Sequence, residues 1–285
     1  MCRLFGLLGN PKTPADPWLL ETDRSLLKQS HVSEERAQRD GWGIAWYTEK
    51  RTPQVEKGPR GAFEETREFT HAAHAARGPV VLGHLRHASN PLGLPRERLL
   101  GLENSQPFVH RNYLFGHNGS IPYPRETRAL LGRYESSVMG VNDSEVLFWL
   151  LVKNTETVGD PLEGYRRTVG DLVTVWESAG RGVAEPFSAL NVIFTRGPNE
   201  LWAFCLWRGE HGPRLLDATR PYFDMTYLAD AKQCVVGSEP FDARRSDWRD
   251  LSNGEYLVAR ADRGLVAVET GAINAPKVAP LAARR

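Results

Sequence analysis

The chain has 285 residues, of which 41% are hydrophobic and 25% charged, with 36 basic side chains against 35 acidic. That length can bury one large core or two smaller ones, and the composition is that of an ordinary soluble enzyme. The balanced charge offers nothing to nucleic acid or an anionic membrane surface. No apolar run reaches the roughly 20 residues that cross a bilayer, and a signal peptide is not evident, so a cytoplasmic location is expected.

The opening CRLFGLLG is a short apolar run closed by Gly-Asn-Pro, and it reads as a buried strand ending in a turn. Asp16-Pro17 is expected to open a helix reaching about Ser30, with Asp16 as the cap. GWGIAWYT (41–48) has the alternation of a strand, and FEETREFTHAAHAAR (63–77) the apolar spacing of a helix. PVVLGHLRHAS (79–89) and NYLFGHNG (112–119) are further strand candidates, each running into a polar turn. Asn142, Asp143 and Ser144 precede EVLFWLLVK, which marks a helix start, and a second helix is expected over about 161–179. From Ala189 the pattern changes to strands: LNVIFTR, LWAFCLW, YFDMTYLA, QCVVGSEPF, EYLVARA and GLVAVE. The last dozen residues, rich in Ala, Pro and Arg, read as a tail. Strands, then helices, then strands imply an α+β fold of sheet layers with helices outside.

The three cysteines, Cys2, Cys205 and Cys234, are too few and too odd in number for a disulfide framework or a cysteine-rich zinc site. Cys205 and Cys234 lie in apolar strands and read as small buried hydrophobes. Cys2 is different. Removal of Met1 would leave a terminus that carries a thiol and a free α-amine together. An α-amine titrates near about 7.7–8.0, so it can take the thiol proton at neutral pH, and no histidine base is needed. An N-terminal cysteine can equally be accidental, but the apolar run behind this one would pin the terminus into the core, where most termini fray.

His117-Asn118-Gly119 ends a strand. A carboxamide beside a glycine N–H supplies two neutral donors for the oxyanion formed when an amide carbonyl is attacked, although Asn-Gly alone is also a common turn dipeptide. Arg86, among VVLGHL, and Asp143 could hold the carboxylate and ammonium of an amino acid; Asp143 serves equally well as a helix cap, and Arg86 as a surface strand residue. His84 and His87 point to opposite faces of a strand, and His71 and His74 share a helix face without a carboxylate or cysteine set nearby, so no metal site is expected. Trp42 and Trp46 alternate with Ile44 as core residues.

Taken in order, Cys2, Arg86, Asn118-Gly119 and Asp143 resemble the class II glutamine amidotransferases, the glutaminase-type N-terminal-nucleophile hydrolases. Asp40-Gly41-Trp42-Gly43 and Ser238-Glu239-Pro240 are similar to stretches in short stand-alone members, among them the γ-glutamyl hydrolase of ergothioneine synthesis and a subunit of a glutathione-degrading complex. The resemblance implies one domain over 2–270 followed by a mobile tail over 271–285. It also implies a four-layer αββα sandwich of two mainly antiparallel sheets. It makes Cys2 the nucleophile, Asn118 and Gly119 the oxyanion donors, and Arg86 and Asp143 the holders of the glutamyl end, with no cofactor. Where many synthase-fused members have Trp and Thr-His after the arginine, this chain has His87-Ala88-Ser89-Asn90, so a different leaving group is admitted. No residues are expected to remain for a synthase domain, and ammonia would then go to a separate partner or simply be released. Other N-terminal-cysteine acylases, acting on bile-salt-like or penicillin-like amides, are an alternative that the Arg86 and Asp143 pair disfavours.

Overall fold

The computed structural model describes residues 2–10, 13–180 and 182–276. Met1, whose removal the sequence reading requires, and the end of the expected tail fall outside them. Among the described residues thirteen strands form in chain order: β1 (Arg3–Gly9), β2 (Trp42–Tyr47), β3 (Pro53–Gly58), β4 (Val80–Leu85), β5 (Phe108–His110), β6 (Tyr113–Gly119), β7 (Leu190–Thr195), β8 (Glu200–Cys205), β9 (Met225–Ala229), β10 (Gln233–Gly237), β11 (Arg249–Leu251), β12 (Glu255–Asp262) and β13 (Leu265–Ala272). The α-helices are α1 (Leu26–Gln29), α2 (Thr66–Ala75), α3 (Arg96–Leu99), α4 (Pro124–Arg128), α5 (Asp143–Val158) and α6 (Pro161–Ser178).

One sheet has seven strands in the order β11-β9-β10-β1-β4-β2-β3, and the other has six in the order β13-β12-β8-β7-β6-β5. Neighbouring strands run antiparallel throughout. Because strand side chains alternate between faces, each sheet contributes two layers of core. Leu4, Leu8, Val80 and Leu82 of the first sheet meet Leu114, Ile193, Ala203 and Leu257 of the second between the sheets. The outer face of the first sheet, with Phe5, Ile44 and Val81, packs on Leu26, Phe69 and Ala72. The outer face of the second, with Phe115, Val192 and Phe204, packs on Leu147, Phe148, Tyr165 and Leu172 of α5 and α6. The result is the α+β, four-layer αββα architecture. No helix among the described residues is long and apolar enough to cross a membrane.

One helix start differs from its sequence reading, and a second settles a choice the sequence left open. Asp16 makes no capping hydrogen bond; its carboxylate instead meets His74 Nδ1 at 2.6 Å. The expected helix to Ser30 is broken into a π-helical turn, Pro17–Glu21, and α1. The break occurs where the backbone N–H of Arg24 donates to the Phe241 carbonyl, 3.2 Å away, and the Asp23 carboxylate accepts from Ala243 N at 3.0 Å. At α5 the cap is Asn142, whose side chain accepts from Ser144 N, so the carboxylate of Asp143 is released from that duty.

Candidate active site

Strand parity brings the chemistry together. Cys2 has the parity of Leu4 and Leu8, Arg86 that of Val80 and Leu82, and Asn118 that of Leu114, and all of those apolar side chains face the space between the sheets. β1 pairs with β4 so that Arg3 stands opposite Leu85, which sets Cys2 beside Arg86. Across the gap Leu4 lies over Gly116, where an added Cβ would come within 3.2 Å of Leu4 Cδ2. Two residues further along each strand lead to Cys2 and Asn118, at the same end of the sandwich.

The Cys2 thiol is buried and is held by one residue: Sγ lies 3.5 Å from the carbonyl of His87 and accepts from the His87 N–H at 3.4 Å. Burial pushes the thiol pKa up, while that N–H and the charge of Arg86 favour the thiolate and work against the rise. At rest the group is a thiol, and its proton must be taken at the moment of attack.

Arg86 is 3% exposed and anchored on the DGWG segment: its N–H donates to Gly41 O at 2.8 Å and its Nη1 to Asp40 O at 3.0 Å. Burial lowers its pKa, and the nearby Asp40 and Asp143 carboxylates raise it again. The buried Asp40 carboxylate in turn accepts from Ala88 N at 2.8 Å and pairs with Arg96. This fixes the loop that holds the thiol. Asp143 is 1% exposed, and its two oxygens accept from the Ser89 hydroxyl at 3.0 Å and from Ile121 N at 2.9 Å. Its charge acts on both Cys2 and Arg86. The Cys2 thiol, the Arg86 cation and the Asp143 carboxylate therefore share one electrostatic neighbourhood.

Asn118 is 1% exposed, yet its side chain has no hydrogen bond among the described residues, and Oδ1 is buried without a partner. A buried carboxamide left uncommitted carries a desolvation cost that a ligand can relieve. Gly119 follows with φ +152, and a Cβ there would stand 1.9 Å from Ala189 O, so only glycine fits. Gly119→Ala is expected to destabilise the fold by roughly 2 kcal/mol or more, through strain and collision together; a urea midpoint equal to that of the parent would show that the segment is free to move.

His117 sets this pair in place. Its Nε2 lies 3.1 Å from Ala189 O and its Nδ1 2.8 Å from Ser144 Oγ. A carbonyl only accepts, so Nε2 carries the proton and Nδ1 accepts from Ser144. The neutral ring thus joins the Asn118-Gly119 end of β6 to the first turn of α5, next to Asp143. Burial keeps the His117 pKa low and pushes that of His84 down to about 3, and His84 Nε2 donates across the sheets to the His117 carbonyl at 3.2 Å. All five residues expected from the sequence converge here. Asp40, Ser89, His117 and Ser144 were not singled out beforehand as site residues, although each lay in a stretch the sequence had marked: DGWG, the segment after Arg86, His117-Asn118-Gly119 and the start of α5. Among the described residues no group of three His, Cys, Asp or Glu side chains is placed to hold a metal ion.

The αββα sandwich, with the Cys2 thiol at one end of the space between its sheets, is the architecture of the N-terminal-nucleophile hydrolases. Within that class the chain belongs to the class II glutamine amidotransferases, the family that matches residues 1–278. Among solved structures it is similar to a glutamine aminotransferase class-II domain protein from Silicibacter pomeroyi, at 20% identity and TM-score 0.64 over 95% of this chain and 99% of that one. It is also similar to the glutamine phosphoribosylpyrophosphate amidotransferase of Bacillus subtilis complexed with ADP and GMP. That likeness has 19% identity and TM-score 0.55 over 96% of this chain, which spans 49% of the Bacillus enzyme. At these identities the structural likeness establishes the fold. No curated protein matches the sequence. Family membership supports cleavage of the glutamine amide.

Proposed function

We propose that the protein cleaves the γ-amide of glutamine or of a γ-glutamyl compound through a thioester on Cys2. The reading is supported by the buried Cys2 thiol, the uncommitted buried carboxamide of Asn118 and the charges of Arg86 and Asp143 at one end of the intersheet space. With Met1 removed, the α-amine of Cys2 accepts the thiol proton as Sγ attacks the γ-carbonyl. The tetrahedral oxyanion is held by Asn118 Nδ2 and Gly119 N–H, and Arg86 and Asp143 bind the α-carboxylate and α-ammonium. Collapse breaks the C–N bond, and the ammonium formed on Cys2 returns the proton to the leaving amine. Water, deprotonated by the same amine, then attacks the thioester; the C–S bond breaks, the thiol regains a proton and glutamate leaves.

A second reading, hydrolysis of a γ-glutamyl conjugate, is favoured by the loop after Arg86. The backbone of His87 clamps the thiol while the residue itself is exposed, so the chain on the leaving-group side differs from a closed pocket. Glutaminase action would instead release ammonia, either to a separate partner or to solvent. The test is glutamate release, measured by mass spectrometry, from L-glutamine and a panel of γ-glutamyl amides, with free L-glutamate added as competitor. Competition is expected for every accepted substrate, because all share the zwitterionic end. Turnover untouched by glutamate would remove Arg86 and Asp143 from recognition and return the bile-salt-like and penicillin-like amides to consideration.

A further inference from the structure

Arg3, the residue after the nucleophile, is 2% exposed. A buried guanidinium at the start of a chain is costly unless its donors are used. Its Nη1 donates to the carbonyl of Cys2 at 3.0 Å and to the hydroxyl of Tyr222 at 2.7 Å, and the guanidinium carbon lies 5.1 Å from the centre of the Tyr222 ring. Cys2 itself precedes the strand ladder, which begins at Arg3, so this side chain supplies what the ladder does not. Tyr222 belongs to the connection between β8 and β9, and that connection is pinned from within. Tyr222 N donates to Gly212 O at 2.9 Å, and buried Arg214 donates to Asp224 O at 3.0 Å and Met225 O at 2.7 Å. Glu239, from the Ser238-Glu239-Pro240 stretch, is 1% exposed and accepts from Leu215 N at 2.7 Å. Its Oε2 and the Nε of Arg3 are both buried without a hydrogen-bond partner among the described residues, and the charge of Arg3 is the largest influence drawing the Glu239 carboxyl back from the rise that burial causes. Ser238 completes the frame: its N–H donates to Leu4 O at 3.1 Å, and its hydroxyl accepts from Leu4 N at 3.0 Å.

We propose that Arg3 is a positioning residue: held by Tyr222, it clamps the Cys2 carbonyl and so fixes the torsions that set the α-amine of Cys2 against its own thiol. The inference rests on the proposed function for its kinetic consequence, but the geometry of the terminus can be read independently of any substrate. A terminus free to rotate would leave the base out of line with the proton it must take, and misplacement by about 1 Å costs on the order of 10²-fold in rate.

The experiment uses full-length protein with Met1 confirmed absent, as the parent, Arg3→Gln, Arg3→Lys and Tyr222→Phe. Three quantities are read: kcat and KM for a γ-glutamyl substrate, the pH dependence of Cys2 alkylation by iodoacetamide, and the thermal midpoint. Arg3→Gln is expected to lose about 10²-fold in kcat with KM unchanged, and its alkylation profile should move to higher pH because the amine no longer assists the thiol. Arg3→Lys, which keeps a cationic donor, should recover part of both effects. Tyr222→Phe keeps the ring and loses only the acceptor, so it should show the same shift in smaller measure even if Arg3→Gln folds poorly. Parental kcat and alkylation profiles in Arg3→Gln and Tyr222→Phe would overturn the proposal. So would a loss of rate that follows the thermal midpoint, with no pH shift and no rescue by lysine. If the parent releases no glutamate but its alkylation profile still shifts in Tyr222→Phe, the clamp stands and the proposed substrate falls.

Discussion

Cys2→Ala is expected to lower glutamate release by roughly 10⁴-fold or more while leaving the protein folded. The substitution deletes the atom proposed to form the thioester, and its structural cost is small: among the described residues the hydrogen bonds of Sγ are two, both long and both to the backbone of His87. The thermal midpoint should therefore stay close to that of the parent. The parent should also show a rate that rises with pH through the α-amine range, about 7.7–8.0, because the amine must be unprotonated to act as base. Burial raises the thiol pKa, so the thiol remains protonated across that range, and the rise reports the amine. A residual rate in Cys2→Ala within tenfold of the parent, measured with the same substrate panel, would exclude the thioester route.

The second large effect is expected at Asn118. Asn118→Ala should reduce kcat by on the order of 10²- to 10³-fold with little change in KM, since one of two oxyanion donors is lost while Arg86 and Asp143 still hold the glutamyl end. Stability should be unchanged or slightly higher. The side chain has no hydrogen bond among the described residues and Oδ1 is buried unpaired, so the alanine removes a desolvation cost rather than a contact. Steady-state kinetics beside a urea titration decide the matter: a near-normal rate would remove Asn118 from the mechanism, and a large fall in stability would assign it to the scaffold.

The strands that flank Cys2 and Arg86 and the one that carries Asn118 were legible in the sequence because strand period and burial coincide there: CRLFGLLG, VVLGHL and LFGHN are apolar runs that a two-sided sheet buries completely. β3 was not legible. Its residues PQVEKG begin with proline and are mostly exposed or half-buried, as an edge strand permits, so neither periodicity nor hydrophobicity marked it. The expected strand at 222–229 begins only at Met225, because Tyr222 is drawn into the connection that covers Arg3. The cap at α5 shows the same limit at the level of the site. Asn142 and Asp143 are both good capping residues, and the sequence alone does not say which one caps and which one is left for Ser89 and Ile121. Those partners lie 54 and 22 residues from Asp143 along the chain, and the Arg3–Tyr222 pair is separated by 219. Only the sheet order brings them together.

The most direct test of the central claim compares glutamate release by two mass-verified samples, one lacking Met1 and one retaining it as an amide on the Cys2 nitrogen. Activity is predicted in the first sample alone, because in the second the base is tied up and the thiol has no proton acceptor. Equal rates in the two would contradict the account, since Cys2 would then be activated by some group other than its own amine.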